Sequence, residues 1–141
     1  MRRKKHRVVI DTNLWIHFLL TKNYSKVEKL ISTDSLVLLF SQELLDEFTE
    51  VASRPKFKKY FSLTDLQGLL TQLSQHAEFI NVTSTLEICR DPKDNFLLSL
   101  SADGRATHLI TGDKDLLMLK TLNKTKILTI TDYLSIYTLL P

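Results

Sequence analysis

Several acidic residues stand where chemistry in an α/β protein is usually placed. Asp11 directly follows the apolar run Val8-Val9-Ile10, and Asp113 closes Thr111-Gly112-Asp113 after the run His108-Leu109-Ile110. Asp91 and Asp94 lie in Arg90-Asp91-Pro92-Lys93-Asp94-Asn95, at the start of a helical pattern that leads into that second run. A short apolar run cut off by a polar residue reads as a buried strand. Ligands of open α/β sheets bind beyond the carboxyl ends of the strands, so these acids are expected to meet in one crevice.

A fourth participant follows from helix geometry. Residues 42–53 predict a helix with Leu44, Leu45, Phe48, Val51 and Ala52 on its inner face. At 100° per residue, Glu47 falls roughly 100° from the centre of that stripe, and Glu43, Asp46 and Glu50 roughly 140–160° away. Glu47 is therefore the acid of this helix best placed to lean over the sheet edge.

Carboxylates gathered in a cleft repel one another unless a cation offsets them, and an all-oxygen set suits a hard ion. Without a Cys/His set, magnesium or manganese is favoured over zinc. Such an ion keeps water in its shell and leaves room for a phosphate oxygen, which is the chemistry of metal-assisted phosphodiester hydrolysis. Each acid also has an ordinary reading. Asp91-Pro92 is a common helix start, with Asp as N-cap and Pro at the first helical position, and Asp113 can cap a short helix. Three acids at strand ends together favour a site.

The elements that must position these residues alternate. Strands are predicted at Val8–Ile10, Leu36–Phe40, Phe79–Val82, His108–Thr111 and Lys126–Thr131. Helices are predicted at Asn13–Leu20, Ser25–Ile31, Gln42–Ser53 capped by Ser41, from Ser62 or Thr64 to His76, and Asp94–Asp103, with Phe96, Leu97, Leu100 and Ser101 inward. A short helix at Asp115–Lys120 and a last one at Asp132–Leu139, capped by Thr131 or Asp132, complete the chain, and residues 83–90 read as loop or edge. The alternation predicts a parallel sheet covered on both faces.

Ile10-Asp11-Thr12-Asn13, Ser41–Phe48 with Glu47, Asp91-Pro92-Lys93-Asp94 and Thr111-Gly112-Asp113-Lys114-Asp115-Leu116-Leu117 together resemble the PIN domain family. The nearest branch is similar to VapC toxins, the toxin components of prokaryotic toxin–antitoxin pairs. The resemblance runs from residue 7 to about 134 and implies a three-layer α/β/α PIN-like domain with a central parallel β-sheet. It also implies a Mg2+- or Mn2+-dependent endoribonuclease in which Asp11, Glu47, Asp94 and Asp113 are the catalytic and metal-binding acids. Asp115 would be an auxiliary ligand, and Asn13, Asp91 and Thr111 supporting residues. A metal-activated water would attack phosphorus in line and leave a 5′-phosphate and a 3′-hydroxyl. Implied partners are an RNA substrate, a cognate antitoxin protein and a second copy of the chain in a homodimer or higher assembly.

Composition sets the frame. The 141 residues are read as one domain, residues 1–141, with a basic leader at 1–6. With 43% hydrophobic residues, 3 Gly and 3 Pro, disordered and collagen-like classes are excluded. The longest stretch without Asp, Glu, Lys or Arg is Leu66–Ala77, well short of the ~20 residues a membrane helix requires. A single cysteine, Cys89, excludes an internal disulfide and suits a reducing, cytoplasmic setting. Arg2, Arg3, Lys4, Lys5 and Arg7 take five of the 19 Lys and Arg, leaving 14 against 16 acids elsewhere. Contact with RNA needs positive surface. Two stretches offer it: Arg2–Arg7, and Arg54, Lys56, Lys58 and Lys59 interleaved with Phe57, Tyr60 and Phe61.

Rival chemistries fit less well. A response-regulator receiver needs adjacent acids after the first strand, and a haloacid-dehalogenase-like phosphatase needs an acid where Asn13 stands. His6, His17, His76 and His108 show no pairing in sequence, which argues against a metal-free two-histidine mechanism. Trp15 and Phe18 read as core or a dimer face. The reading from another class is a non-catalytic PIN-fold module that binds RNA or a partner protein.

Overall fold

The computed structural model describes residues 6–21 and 36–138. Six strands form one sheet in the order β3-β2-β1-β4-β6-β5. They are β1 His6–Ile10, β2 Leu36–Phe40, β3 Ala77–Phe79, β4 His108–Ile110, β5 Thr121–Leu122 and β6 Thr125–Leu128. All pairings are parallel except the β5–β6 hairpin. The helices are α1 Thr12–Thr21, α2 Gln42–Ala52, α3 Leu63–Ser74, α4 Pro92–Asp103, α5 Lys114–Leu117 and α6 Ile130–Thr138, with a single 3₁₀ turn at Pro55–Phe57. Helices cover both faces of the sheet, giving a three-layer α/β/α fold. The helix expected at Ser25–Ile31 lies outside the described residues.

Local chemistry accounts for most boundaries. Ser41 Oγ accepts the Leu44 N–H and starts α2. Ser62 and Asp65 cap each other's backbone at the start of α3. Asp91 Oδ1 accepts the Lys93 N–H and Pro92 occupies the first turn, so α4 begins two residues before the predicted Asp94. In the core, Trp15 of α1 stacks on Phe40 at 5.9 Å, lies 6.3 Å from Phe48 and meets Phe18 edge-on. Trp15 and Phe18 are buried, which answers the choice between core and dimer face for this chain alone.

Several boundaries differ from expectation. The third strand is Ala77–Phe79 rather than Phe79–Val82, because α3 stops at Ser74 and the chain enters the sheet at once beside β2. From Thr83 onward the chain runs as coil along α4, where Asp103, Ser99 and Asn95 accept its N–H groups. Asn123, at φ 53°, makes the turn of the β5–β6 hairpin, which sequence reading missed; asparagine tolerates the left-handed region better than most residues. The final strand ends at Leu128 because Thr129, not Thr131 or Asp132, caps α6 by accepting the Asp132 N–H. Phe96, expected inward on α4, is only half-buried, while Leu98 is fully buried. That helix lies between the sheet and the coil, so it buries several of its faces.

At β1 the sheet order reverses direction. The chain leaves β1 toward β2 and β3 on one side, and later crosses to β4 and β6 on the other. The divergence beyond β1 and β4 opens a crevice at their carboxyl ends, the switch point at which such sheets bind ligands.

Candidate active site

The crevice holds a cleft of about 130 Å3 lined by Asp11, Thr12, Asn13, Glu47, Val51, Arg54, Asp91, Lys93, Asp94, Leu97 and Asp113. Four expected acids are thus brought together from β1, α2, α4 and the loop after β4. Asp11 is 8% exposed and Asp94 4%, whereas Glu47 and Asp113 are half-buried. The three carboxylates of Asp94, Asp113 and Asp115 each present an oxygen within 4.8 Å of the others. Asp115 does not line the cleft itself; it faces Arg90 at 3.6 Å.

Supporting groups hold the acids in place. The buried Thr111 hydroxyl donates to Asp11 Oδ2 at 2.8 Å and accepts the Asp113 N–H at 3.0 Å. Asn13 contributes its backbone N–H to Asp11 Oδ1, while its side chain is exposed. The two readings of Asp91 hold together, since it caps α4 and also lines the cleft.

Electrostatics mark the site as unbalanced. Burial, then repulsion from Asp113 and a side-chain hydrogen bond with it, then repulsion from Asp91 and Asp11, pushes the Asp94 carboxyl up to about 6. Its Oδ2 is buried without a hydrogen-bond partner, as is Thr12 Oγ1 in the same cleft. A buried carboxylate oxygen without a partner is costly, and a hard cation is the kind of group that satisfies it. The field reaches Cys89 as well, where burial and then Asp94, Asp115, Asp113 and Asp91 raise the thiol.

The basic residues divide. Arg54 lines the cleft and pairs with Glu50 at 3.1 Å. Lys56 and Lys59 lie over the rings of Phe57 and Tyr60 at 5.1 and 5.4 Å, and Lys58 borders a separate hollow with Phe61. In the leader, residues 1–5 lie outside the described residues and His6 is already strand. Arg7 is engaged: its guanidinium makes two bonds to Glu78 and one to the Gly104 carbonyl. It therefore serves the fold, which corrects its inclusion among the RNA-facing cations.

The histidine expectation needs correction too. His6 and His108 lie against each other, tilted, with ring centroids 4.6 Å apart, and His6 Nδ1 bonds the Tyr133 hydroxyl at 2.8 Å. They open β1 and β4, at the ends of these strands opposite the acids, so the pair stands apart from the cleft. Sequence reading also passed over Lys93, whose ammonium sits 3.6 Å from Glu47 in the cleft. A lysine in the first turn of a helix was the available signal, because helix starts favour acids.

Over residues 7–115 the sequence matches the PIN domain family. The chain belongs to that family. PIN domains are generally nucleases and use divalent metal ions, in keeping with the oxygen donors gathered here. The chain is also similar to an uncharacterized protein of Methanocaldococcus jannaschii, at 34% identity over 127 residues, covering 88% of this chain and 81% of the relative. No solved structure matches it. Among the described residues of this PIN domain, no helix is long and apolar enough to cross a membrane.

Proposed function

We propose that this PIN domain is a magnesium- or manganese-dependent endoribonuclease, acting as the toxin of a toxin–antitoxin pair. The observation that carries the nuclease reading is Asp94, a buried carboxylate with an unpartnered oxygen beside Asp113 and within the field of Asp11. Asp11, Asp94 and Asp113 would hold the ion, with Asp115 and Glu47 at its margin. A bound divalent ion supplies an activated water and charge stabilisation at phosphorus.

The chain's own residues perform the remaining tasks. Thr111 fixes the Asp11 carboxylate and the Asp113 backbone at once, so two acids keep their spacing without help from substrate. Asn13 N–H and Asp91 set the first turns of α1 and α4, which present Asp11 and Asp94 to the crevice. Arg54 offers a cation at the cleft wall for an RNA phosphate, and Lys56, Lys58 and Lys59 extend positive charge beyond it. The toxin role, a cognate antitoxin and a homodimer or larger assembly rest on the resemblance to VapC toxins.

The deciding experiment compares RNA cleavage by wild type and Asp11→Asn, with magnesium or manganese and with chelator. Wild-type activity that disappears with chelator and in the variant is expected. Equal cleavage by both proteins would remove the assignment.

A further inference from the structure

We propose that Lys93 is an in-built cation holding Glu47 where a second metal ion would otherwise sit, so that the cleft takes a single divalent ion on its Asp94–Asp113 side. This rests on the metal-dependent reading above and specifies its metal count.

The acids in and beside the cleft are not equivalent. Asp94, Asp113 and Asp115 offer oxygens within 4.8 Å of one another, close enough to share one ion; Asp11 and Glu47 are outside that group, but Asp11 is tied to Asp113 through the Thr111 hydroxyl. Glu47 Oε1 instead faces the Lys93 ammonium at 3.6 Å, and both side chains line the cleft with Asp11, Asp94 and Asp113. A two-metal site of the phosphodiesterase kind needs ions roughly 4 Å apart, each with its own carboxylates. Here the carboxylate on the α2 side already has a monovalent counter-ion supplied by the chain.

Lys93 is also placed against local preference. The positive end of the helix dipole favours acids in the first turn and disfavours cations. Asp91 and Asp94 obey that rule, and Lys93 stands between them. The acids across the cleft offset its position. Arg54, the other cation on the wall, is occupied with Glu50 and leaves Glu47 to Lys93. At 67% exposure the lysine side chain is not needed for the core, so its removal leaves the fold intact.

Manganese binding without RNA tests this by calorimetry and by electron paramagnetic resonance of the free ion. Wild type is expected to bind one Mn2+ per chain, and Lys93→Arg the same. Lys93→Met is expected to gain a second, weaker Mn2+ at Glu47, and Glu47→Gln combined with Lys93→Met to return to one. An exposed ion pair is worth about 2- to 5-fold in an equilibrium, so the first ion should also bind about that much tighter in Lys93→Met. Two equivalent ions in wild type would overturn the proposal. So would one ion in Lys93→Met with unchanged affinity, although the metal-dependent reading would survive. No Mn2+ binding by folded wild type would remove both.

Discussion

Thr111 and Asp11 are a hundred residues apart in the chain, yet the Thr111 hydroxyl reaches Asp11 Oδ2 at 2.8 Å in a fully buried contact. The Thr111 hydroxyl oxygen in turn accepts the N–H of Asp113. One hydroxyl thus sets the distance between the acids after β1 and after β4. Thr111→Val keeps the shape and removes both bonds. A buried polar group left unsatisfied costs about 1–3 kcal/mol, so a lower melting temperature is expected. Loss of a group that orients ligands costs about 10- to 100-fold in metal affinity or activity. Calorimetry with Mn2+ and cleavage rates on one RNA would check both. Unchanged metal affinity would show that Asp11 is held well enough without Thr111.

Asp94 gives a pH-dependent signature. Its folded carboxyl is raised to about 6 from an ordinary 3.8. A raised pKa favours the folded state while the group is protonated in it. That contribution is fully present below 3.8 and is lost as pH rises through about 6. At neutral pH the ionised group is a burden of roughly 1–3 kcal/mol. Asp94→Asn is therefore expected to melt higher than wild type at pH 7.5 and no higher at pH 3.5, in metal-free buffer. Added Mn2+ should raise wild type and leave the variant unmoved. A variant less stable than wild type at both pH values would contradict this account.

The histidine pair titrates in the opposite sense. Burial, then His6 and Lys126, lower His108 to about 4 from 6.5. The folded state resists the proton that the unfolded chain accepts. This contribution is present above 6.5 and is lost as pH falls toward 4. His108→Gln should flatten the acid limb of a stability–pH curve followed by urea unfolding. Because Asp94 and His108 oppose each other across nearly the same window, wild type alone should show a shallow slope. The single variants should separate the two limbs.

Arg54 and the lysines after α2 make different predictions. Arg54 lines the cleft, so Arg54→Ala should weaken binding of a short single-stranded RNA to the Asp11→Asn protein and lower the salt slope by about one. Lys56→Ala and Lys59→Ala remove charges that lie over aromatic rings away from the cleft, and should weaken binding less. Filter binding at several salt concentrations distinguishes them. Equal losses at all three positions would move the RNA path away from the cleft wall.

Much of the site was legible because its signals were local. An acid after an apolar run marks a strand end whatever the rest of the chain does, and this located Asp11 and Asp113. Glu47 was selected by helical angle alone, and it does line the cleft. The missed features depend on distant partners. Arg7 looked like part of a basic leader because Glu78 and Gly104, its partners, lie more than 70 residues away. His6 and His108 seemed unrelated until the β1–β4 pairing brought two strand starts together. The last strand was legible, but its hairpin partner β5 escaped because two residues are too few for any hydrophobic period to show. Lys93 was visible in the motif, but its meaning depends on Glu47 facing it.

The cleft is assembled from residues near 11, 47, 94 and 113, and one neighbour of the strand that precedes the first acid, β4, comes nearly a hundred residues later in the chain. Until β4 docks beside β1, Asp11 has neither its neighbour across the crevice nor the hydroxyl that orients it. Contacts so remote in sequence form slowly and late. A nascent chain on the ribosome therefore carries its first acid long before it has a working centre. Whatever chemistry the cleft performs is thereby withheld until nearly the whole domain has been made.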